Sequence, residues 1–375
     1  MAGLYLHIPF CKQACYYCDF HFSTQKDTKE KMVEALCAEL VIQKKYLGEE
    51  PVETIYFGGG TPSLLSSKQL ENLFQTIRTN YYTVPGEITL EANPDDLSEE
   101  HLRVLKDLGI NRLSIGIQSF DDSILQFLNR AHTAQDAVGC VTRSRTVGFD
   151  NLSLDLIYAI PGQDHRQWKK NIEQAIALAP EHISAYALTI EEKTVFGNWR
   201  KKGKLIPQQD DAVATQMEIL IAMLENAGYE QYEISNFCKP GYFARHNSSY
   251  WQQKKYLGIG PSAHSYNGQT RQVNLANNPL YIQSVLKGEV PFQVEVLSRA
   301  NKINEYLLTT LRTTWGCDLR FLNQEFGYNL LIAQGDKVQC FLAHELIEIH
   351  NDILFLTRKG KMLADKISSD LFVEE

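Results

Sequence analysis

The chain has 375 residues, of which 44% are hydrophobic and 22% are charged, and its formal net charge is −8. This composition is typical of a globular protein with one large and one smaller domain, and an acidic chain lacks the basic face that broad contact with nucleic acid requires. No apolar run is long enough for a membrane-spanning helix, and the N-terminus lacks the features of a secretory signal peptide. We therefore expect a cytoplasmic protein with no nucleic-acid partner and no transmembrane segment, while peripheral membrane contact stays open.

Six short runs of β-branched, aromatic or apolar residues in the first half of the chain are predicted β-strands, and helical stretches separate them. The runs are Leu4–Ile8, Thr54–Phe57, Glu87–Ala92, Arg112–Ile117, Leu152–Tyr158 and Ile183–Leu188. Strands that alternate with helices predict a parallel sheet. Chemically unusual residues lie at the C-terminal ends of these strands, where parallel α/β barrels carry their active sites. The predicted fold class is therefore α/β, with a partial (β/α)6 TIM-like barrel that has one active mouth.

Three of the eight cysteines cluster directly after the first predicted strand. Cys11, Cys15 and Cys18 have the spacing C-x3-C-x2-C, and three thiolates this close can hold three irons of a cubane cluster, leaving the fourth iron open. One alternative is a zinc site completed by His7 or His21, but zinc cysteines usually form two separated C-x2-C units. The other is a redox pair of Cys15 and Cys18, which leaves Cys11 without a role. The cluster is the favoured interpretation.

A run of three glycines, Gly58 to Gly60, follows the second predicted strand in the stretch YFGGGTPS. It matches neither the dinucleotide-binding pattern G-x-G-x-x-G nor a P-loop. Because glycine has no side chain, the backbone at this strand end can approach a ligand and offer its N–H and C=O groups directly. A tight turn is the simplest interpretation of the glycines alone. Their place beside the cysteine loop favours a ligand site.

After about Gln208 the alternation of strands and helices stops, and an aromatic, glycine-rich stretch leads to a compact unit near the C-terminus. In that unit, helical segments precede a predicted hairpin around Asn351 and Asp352, an order typical of winged-helix domains. Residues 297–375 carry nine Lys and Arg against eleven Asp and Glu, which favours protein packing or ligand covering over DNA binding. We predict a barrel over 1–235, a connecting segment over 236–297 and a smaller α+β, winged-helix-like domain over 298–375.

Six stretches, which together span much of the chain, resemble the coproporphyrinogen III dehydrogenase (HemN) branch of the radical SAM proteins. They are YLHIPFCKQACYYCDF, YFGGGTPS, LEANP, RLSIGIQSF, LNRAH and LDLIYAIPGQ. The resemblance implies a HemN-like C-terminal domain and a [4Fe-4S] cluster on Cys11, Cys15 and Cys18, whose open iron takes S-adenosylmethionine (SAM). It also implies SAM contacts from Tyr5, Tyr17, Gly59, Gly60, Thr61, Glu91, Gln118, Arg130 and Asp155. Arg130 suits the SAM carboxylate, although each charged residue alone would also suit a salt bridge at a barrel end.

Two features depart from the dehydrogenases of this branch, which carry one more cysteine two residues after the third and an N-terminal extension. Phe20 stands at the position of that cysteine, and the first predicted strand already begins at about Leu4. Both departures argue against the decarboxylating activity. Whether the chain is an enzyme at all is left open by the sequence, and we expect it to lack coproporphyrinogen oxidase activity.

A further motif, RHNSSYW, supplies His246, Asn247, Tyr250 and Trp251, which match the H-N-x-x-Y-W motif of haem chaperones related to these enzymes. Histidine is the usual axial ligand of haem iron, and tyrosine and tryptophan can pack on a porphyrin. Without the resemblance, such a histidine would be interpreted as a hydrogen-bonded structural residue, and the motif could equally anchor the connection between the domains.

The resemblance as a whole implies a haem chaperone that binds a [4Fe-4S] cluster, SAM and haem. It would transfer haem to acceptor haemoproteins, with respiratory proteins as candidates. The first alternative is an oxygen-independent coproporphyrinogen III oxidase of porphyrin biosynthesis. The second is a winged-helix regulator that senses iron–sulfur status, against which the acidic C-terminal domain argues.

Overall fold

The computed structural model describes residues 2–374, apart from the side chain of Pro85. Its strands are β1 Ala2–Ile8, β2 Val52–Gly59, β3 Thr83–Ala92, β4 Arg112–Gln118, β5 Leu152–Tyr158, β6 His182–Ala187, β7 Glu230–Glu233, β8 Asn236–Cys238, β9 Tyr256–Ile259, β10 His264–Tyr266, β11 Thr270–Asn274, β12 Phe292–Val296, β13 Cys317–Asp318, β14 Ile347–His350 and β15 Ile353–Leu356. Each of the first six overlaps one of the six predicted strands, and they run parallel in the order β1 to β6. The predicted partial barrel is therefore confirmed.

Helices follow these strands as expected for βα units. They are α1 Lys29–Ile42, α2 Ser67–Asn80, α3 Glu99–Asp107, α4 Asp122–Phe127, α5 Ala134–Thr146, α6 His165–Ala177, α7 Val195–Lys201, α8 Asp210–Asn226, α9 Arg245–Trp251, α10 Asn278–Val285, α11 Arg299–Leu311, α12 Leu319–Phe326, α13 Leu330–Ala333, α14 Gly335–Ala343, α15 Arg358–Lys361 and α16 Ala364–Asp370. Short 3₁₀ helices, Pro62–Leu64 and Pro94–Asp96, follow β2 and β3. No helix in residues 2–374 combines the length and apolarity needed to cross a membrane.

The two faces of the parallel strands differ because side chains alternate along each strand. On β2, Phe57 is fully buried and packs against Phe74 of α2, with ring centroids 5.2 Å apart. The intervening Tyr56 instead hydrogen-bonds to Glu91 of β3. Polar side chains continue on β4 and β5, where Ser114 bonds to Asp155. The barrel interior is thus polar and suits a ligand, while the outer face forms the apolar core with the helices.

The predicted connecting segment, 236–297, is part of the barrel sheet. Strand β9 pairs in parallel with β1, and β10, β11 and β12 extend that edge in antiparallel order. At the other edge, β8 pairs with β6 and with β7. The complete order is β12-β11-β10-β9-β1-β2-β3-β4-β5-β6-β8-β7. The segment widens the sheet rather than only bridging two domains, and the division of the chain at 235 and 297 remains our proposal.

A buried carboxylate ties α1 to this added edge. Glu39 is fully buried, and its oxygens accept hydrogen bonds from the backbone N–H of Gly260 (2.7 Å), from Asn274 Nδ2 (2.6 Å) and from the Tyr281 hydroxyl. Burial raises the pKa of Glu39 to about 7 from an ordinary value of 4.5. Between these two pH values the folded protein holds a proton that the unfolded chain releases. The stabilising contribution of Glu39 is therefore full below pH 4.5 and decreases as the pH rises through 7.

Replacing Glu39 with glutamine should lower the free energy of unfolding by about 2 kcal/mol, because the new amide N–H₂ faces hydrogen-bond donors. The difference from the native protein should be larger at pH 5 than at pH 8, since only native Glu39 titrates in this range. Urea unfolding at both pH values measures it. Glu34→Gln, an exposed position on the same helix, is the control. A Glu39→Gln variant as stable as the Glu34 variant would contradict the anchoring role.

The C-terminal part packs helices around the antiparallel sheet β13-β15-β14 and has its own core. The predicted hairpin joins β14 to β15, and Asn351 and Asp352 have φ values of 52° and 63°, as a two-residue type I′ turn requires. This confirms the α+β prediction for the C-terminal unit. Arg312, just after α11, ties the unit to the barrel through an ion pair with Glu233, with a 3.1 Å N–O distance.

Candidate functional site

The three clustered cysteines lie on one loop after β1, at the C-terminal end of the parallel strands. The loop is held by hydrogen bonds from the backbone N–H of Cys11 to Ser23 O (3.0 Å) and from that of Cys18 to Cys15 O (3.2 Å). All three thiols are half-buried and free of disulfides. No three His, Cys, Asp or Glu side chains in residues 2–374 are arranged around one point as metal ligands would be. The loop brings the three thiols to the same strand end, but their side chains do not point to one common position.

Two of the thiols accept hydrogen bonds from residues predicted to contact SAM. Thr61 Oγ1 donates to Cys11 Sγ over 3.4 Å, and Arg130 Nη1 donates to Cys15 Sγ over 3.3 Å. Burial raises the pKa of Cys11 and raises that of Cys18 to about 12. Iron binding requires thiolates, so loading would release protons. Thiol number, spacing and these two donors fit a cluster with three protein ligands.

Arg130 is the centre of a polar group beside the cysteine loop. Its Nη2 donates to Asn93 Oδ1 (2.6 Å) and to Gly116 O (2.8 Å), while its Nε is buried without a partner in the described residues. A Cβ at Gly116 would lie 3.0 Å from Gln118 Nε2 and 3.2 Å from Arg130 Nη2, so both predicted SAM residues lie over this glycine. Gln118 has a φ of 65°, a conformation that residues other than glycine adopt mainly at turns and sites. Tyr17 also lies close to the Arg130 guanidinium.

The glycine run passes close to the start of the cysteine loop. Gly60 N–H donates to Ile8 O (2.9 Å), and a Cβ on Gly60 would lie 2.7 Å from Phe10 O. Gly59 has a φ of 106°, and a Cβ there would lie 2.7 Å from the His7 ring. These glycines therefore permit close backbone packing under the cysteine loop. The glycines are therefore required for packing, in addition to the close approach to a ligand that the sequence predicts for them.

Glu91 and Asp155 lie in the barrel interior with their oxygens held by neighbouring donors. Tyr56 Oη donates to Glu91 Oε1 (2.7 Å), Gly59 N–H donates to Glu91 Oε2 (3.2 Å), and Ser114 Oγ donates to Asp155 (3.1 Å). Burial raises the pKa of Glu91 to about 7 and that of Asp155 to about 6. Both carboxyl groups can accept further hydrogen bonds from hydroxyl or amine groups of a ligand.

His246, the predicted haem residue, is a buried part of the barrel wall. It is only 1% exposed, and its Nδ1 lies 2.8 Å from Thr54 Oγ1 and its Nε2 lies 2.7 Å from Tyr250 Oη. Its ring stacks on Tyr56 with centroids 5.0 Å apart and lies 6.4 Å from the Tyr5 ring. Burial lowers the pKa of His246 to about 3, which keeps the imidazole neutral. Axial ligation needs a free ring nitrogen, and both are engaged here.

The structure thus brings the predicted cluster and SAM residues together at the C-terminal ends of the parallel strands. Tyr5 lies on the side toward β9, where its hydroxyl is hydrogen-bonded to His7. Sequence reasoning missed two residues that brace this edge. Asn93 joins Arg130 to Thr61, and Lys12 pairs with Asp95 at 2.7 Å. The local clue was the polar stretch Asn93-Pro94-Asp95-Asp96, which follows the third strand directly.

Comparison with known proteins agrees with this geometry. Residues 5–175 match the family model of the radical SAM superfamily, and residues 297–363 match that of the HemN C-terminal domain. The solved structure described as "Coproporphyrinogen III oxidase (HemN) from Escherichia coli is a Radical SAM enzyme" superposes with a TM-score of 0.86, covering 99% of this chain and 90% of that one. Its sequence identity is 22%, so this likeness shows the fold alone.

Curated relatives are similar over almost the entire chain. "Heme chaperone HemW" of Bacillus subtilis is 36% identical over 373 residues, which is 98% of this chain and 98% of the relative. "Heme chaperone HemW" of Lactococcus lactis is 34% identical over 372 residues, which is 99% of this chain and 97% of that relative. The chain therefore belongs to the radical SAM superfamily and, within it, to the HemW family.

Proposed function

We propose that this protein is a haem chaperone that carries a [4Fe-4S] cluster and SAM at the barrel mouth and transfers haem to acceptor haemoproteins. The observation that carries the proposal is full-length similarity to curated haem chaperones, together with a three-thiol loop in which Phe20 follows instead of a further cysteine. We further propose that the acceptors include respiratory haemoproteins. The eight cysteines form no disulfides, which suits a reducing compartment such as the cytoplasm.

The roles of the barrel-mouth residues follow from their contacts. Cys11, Cys15 and Cys18 would hold the cluster, which when bound offers one open iron that SAM can ligate. Arg130, with its unpartnered Nε, suits the SAM carboxylate. Glu91 and Asp155 suit its amine and ribose hydroxyls. The backbone of Gly59, Gly60 and Thr61, with side chains of Tyr5, Tyr17 and Gln118, completes the proposed site.

The experiment that tests the proposal is anaerobic reconstitution followed by haem titration and transfer. We expect iron–sulfur absorbance that changes on addition of SAM, a saturable Soret band on addition of haem, and loss of that band to an added apo-haemoprotein. A passive exchange control uses haem-loaded serum albumin as donor. Absence of saturable haem binding in the native protein would overturn the chaperone proposal.

The reconstituted protein should not convert coproporphyrinogen III to protoporphyrinogen under anaerobic conditions with SAM and a reductant. Phe20, which is 73% exposed, stands where the oxidases carry a cysteine, so the loop lacks that thiol. Chromatography of oxidised porphyrins measures the product, with a coproporphyrinogen oxidase as positive control. Product formation above the level of a Cys15→Ala variant would instead support the oxidase alternative.

A further inference from the structure

A cavity of about 570 Å³ lies beside the barrel mouth, between the end of the cysteine loop, the added sheet edge and the C-terminal unit. Tyr5 and His7 line it from β1, Phe20 and His21 from the cysteine loop, and Leu308 from α11. None of the three clustered thiols lines it. Its volume is within the usual range for sites that bind cofactors. The cavity is therefore next to the proposed cluster site and distinct from it.

The cavity walls are rich in aromatic rings. They are Tyr5, Phe20, Tyr250, Trp251, Tyr256 and Tyr266. The Tyr250 and Tyr256 centroids are 4.6 Å apart, and Phe20 is 73% exposed at the rim. Aromatic walls favour a flat, conjugated ligand because they offer large apolar surfaces with few conformations to restrict. An exposed phenylalanine at the rim gives such a ligand further apolar surface to cover.

Three histidines line the cavity, and their hydrogen bonds differ. His7 Nε2 lies 2.8 Å from His21 O and its Nδ1 lies 3.2 Å from Tyr5 Oη, so both nitrogens are engaged. His21 Nε2 is bonded to Asn278 Oδ1 at 2.7 Å. The exposed His264, on β10, makes no side-chain hydrogen bond with any of residues 2–374. His264 is thus the histidine here with both nitrogens open to a metal.

Charged side chains surround the aromatic walls. Lys254 is exposed on the rim, and Arg271 pairs with Glu305 at 2.7 Å. Asp19 also lines the cavity. Lys254 and Arg271 can each pair with a carboxylate of the ligand, and Arg271 can do so while it keeps one contact with Glu305. Aromatic walls, an open imidazole and two cations describe a site for a flat metal complex that carries carboxylates.

We propose that haem occupies this cavity with His264 as an iron ligand and with Lys254 and Arg271 facing its propionates. The H-N-x-x-Y-W motif then contributes the wall through Tyr250 and Trp251, while His246 is a positioning residue that holds Tyr250 by its hydrogen bond. This assignment rests on the proposed function and specifies where the cargo binds.

The test is haem titration of the full-length chain as His264→Ala, His21→Ala, His246→Gln and His350→Ala variants, followed by Soret absorbance and electron paramagnetic resonance. His264→Ala should bind haem at least roughly tenfold more weakly, because removing even a group that only supports a metal ligand typically weakens binding by about that factor. The variant should also lose the spectroscopic signature of histidine ligation. Added imidazole should restore the histidine-ligated spectrum. His350, exposed on the C-terminal hairpin, is the matched control.

His246→Gln should lower thermal stability yet retain the histidine-ligated spectrum, because its ring is not the ligand. Native-like affinity and spectrum in His264→Ala would overturn the assignment while the haem-chaperone proposal stands. Loss of histidine ligation in folded His21→Ala or His246→Gln, but not in His264→Ala, would overturn it as well. Failure of the native protein to bind haem would overturn the proposed function first, and circular dichroism establishes that each variant is folded.

Discussion

Substitution of Cys15 by alanine is expected to abolish the iron–sulfur absorbance of the reconstituted protein and its binding of SAM, while haem binding is retained. A cubane with three protein ligands loses a third of them in this variant, and the SAM site depends on the open iron. The loop itself should keep its place, because the backbone hydrogen bonds from Cys11 N–H to Ser23 O and from Cys18 N–H to Cys15 O do not involve the Cys15 side chain. Iron and sulfide content, visible absorbance and equilibrium dialysis with labelled SAM measure the losses.

Cys340→Ala is the control, since Cys340 is exposed on α14 and outside the loop. It should leave iron content, SAM binding and haem binding unchanged. Retention of a full cluster in Cys15→Ala would contradict the assignment of the three ligands. Loss of haem binding together with the cluster, in a variant whose unfolding temperature equals that of the native protein, would contradict independent sites and would mean that haem binding depends on the cysteine loop.

Substitution of Gly60 by alanine is expected to destabilise the protein by about 2 kcal/mol and to reduce cluster incorporation strongly. The added methyl group would lie 2.7 Å from Phe10 O and 2.8 Å from Ile8 O. These are backbone atoms at the entrance to the cysteine loop, so no side-chain rotation can relieve the overlap. The loop must shift relative to β2, and the thiols shift with it. Urea unfolding and iron content after reconstitution measure the two effects.

Gly335→Ala is a matched control, because a Cβ there meets no atom within 4 Å. Gly335 begins helix α14, where alanine is the better helix former, so this variant should be as stable as the native protein or slightly more stable. A Gly60→Ala variant with the stability and iron content of the Gly335 variant would show that the glycine run is not needed for packing under the loop.

The cysteine loop and the haem cavity share a short segment of chain, which links the two proposed sites physically. Cys18 lies on the thiol side, and Asp19, Phe20 and His21 line the cavity. His7 Nε2 is also bonded to the carbonyl of His21. A cluster on the three thiols would therefore adjoin the segment that borders the proposed haem cavity. Haem titrations with and without the cluster would measure that coupling directly.

Much of the barrel could be predicted from the sequence because its cues are local. Strand β5 was predicted at its observed bounds, Leu152–Tyr158, since a short run of β-branched and apolar residues ends at a turn. The hairpin at Asn351 and Asp352 was predicted for the same reason, as two adjacent residues suffice to specify a type I′ turn. The cysteine spacing likewise specifies chemistry within one loop.

The segment over 236–297 could not be placed in this way. Its strand β9 pairs with β1, which lies more than two hundred residues earlier in the chain. The local pattern of Tyr256–Ile259 does not indicate which strand it pairs with. The anchoring role of Glu39 was missed for the same reason, because its partners Gly260, Asn274 and Tyr281 lie far along the chain.

The sequence by itself determined the fold class, the three thiols and the family, since strand periodicity, residue spacing and motif identity are properties of short stretches. Only the tertiary structure decided what His246 and His264 can do. Ligation requires a free nitrogen, and whether a nitrogen is free depends on Thr54 and Tyr250 for His246 and on the open cavity for His264. Burial and hydrogen-bond partners arise when distant segments meet, so the motif alone could not show that both ring nitrogens of His246 are engaged.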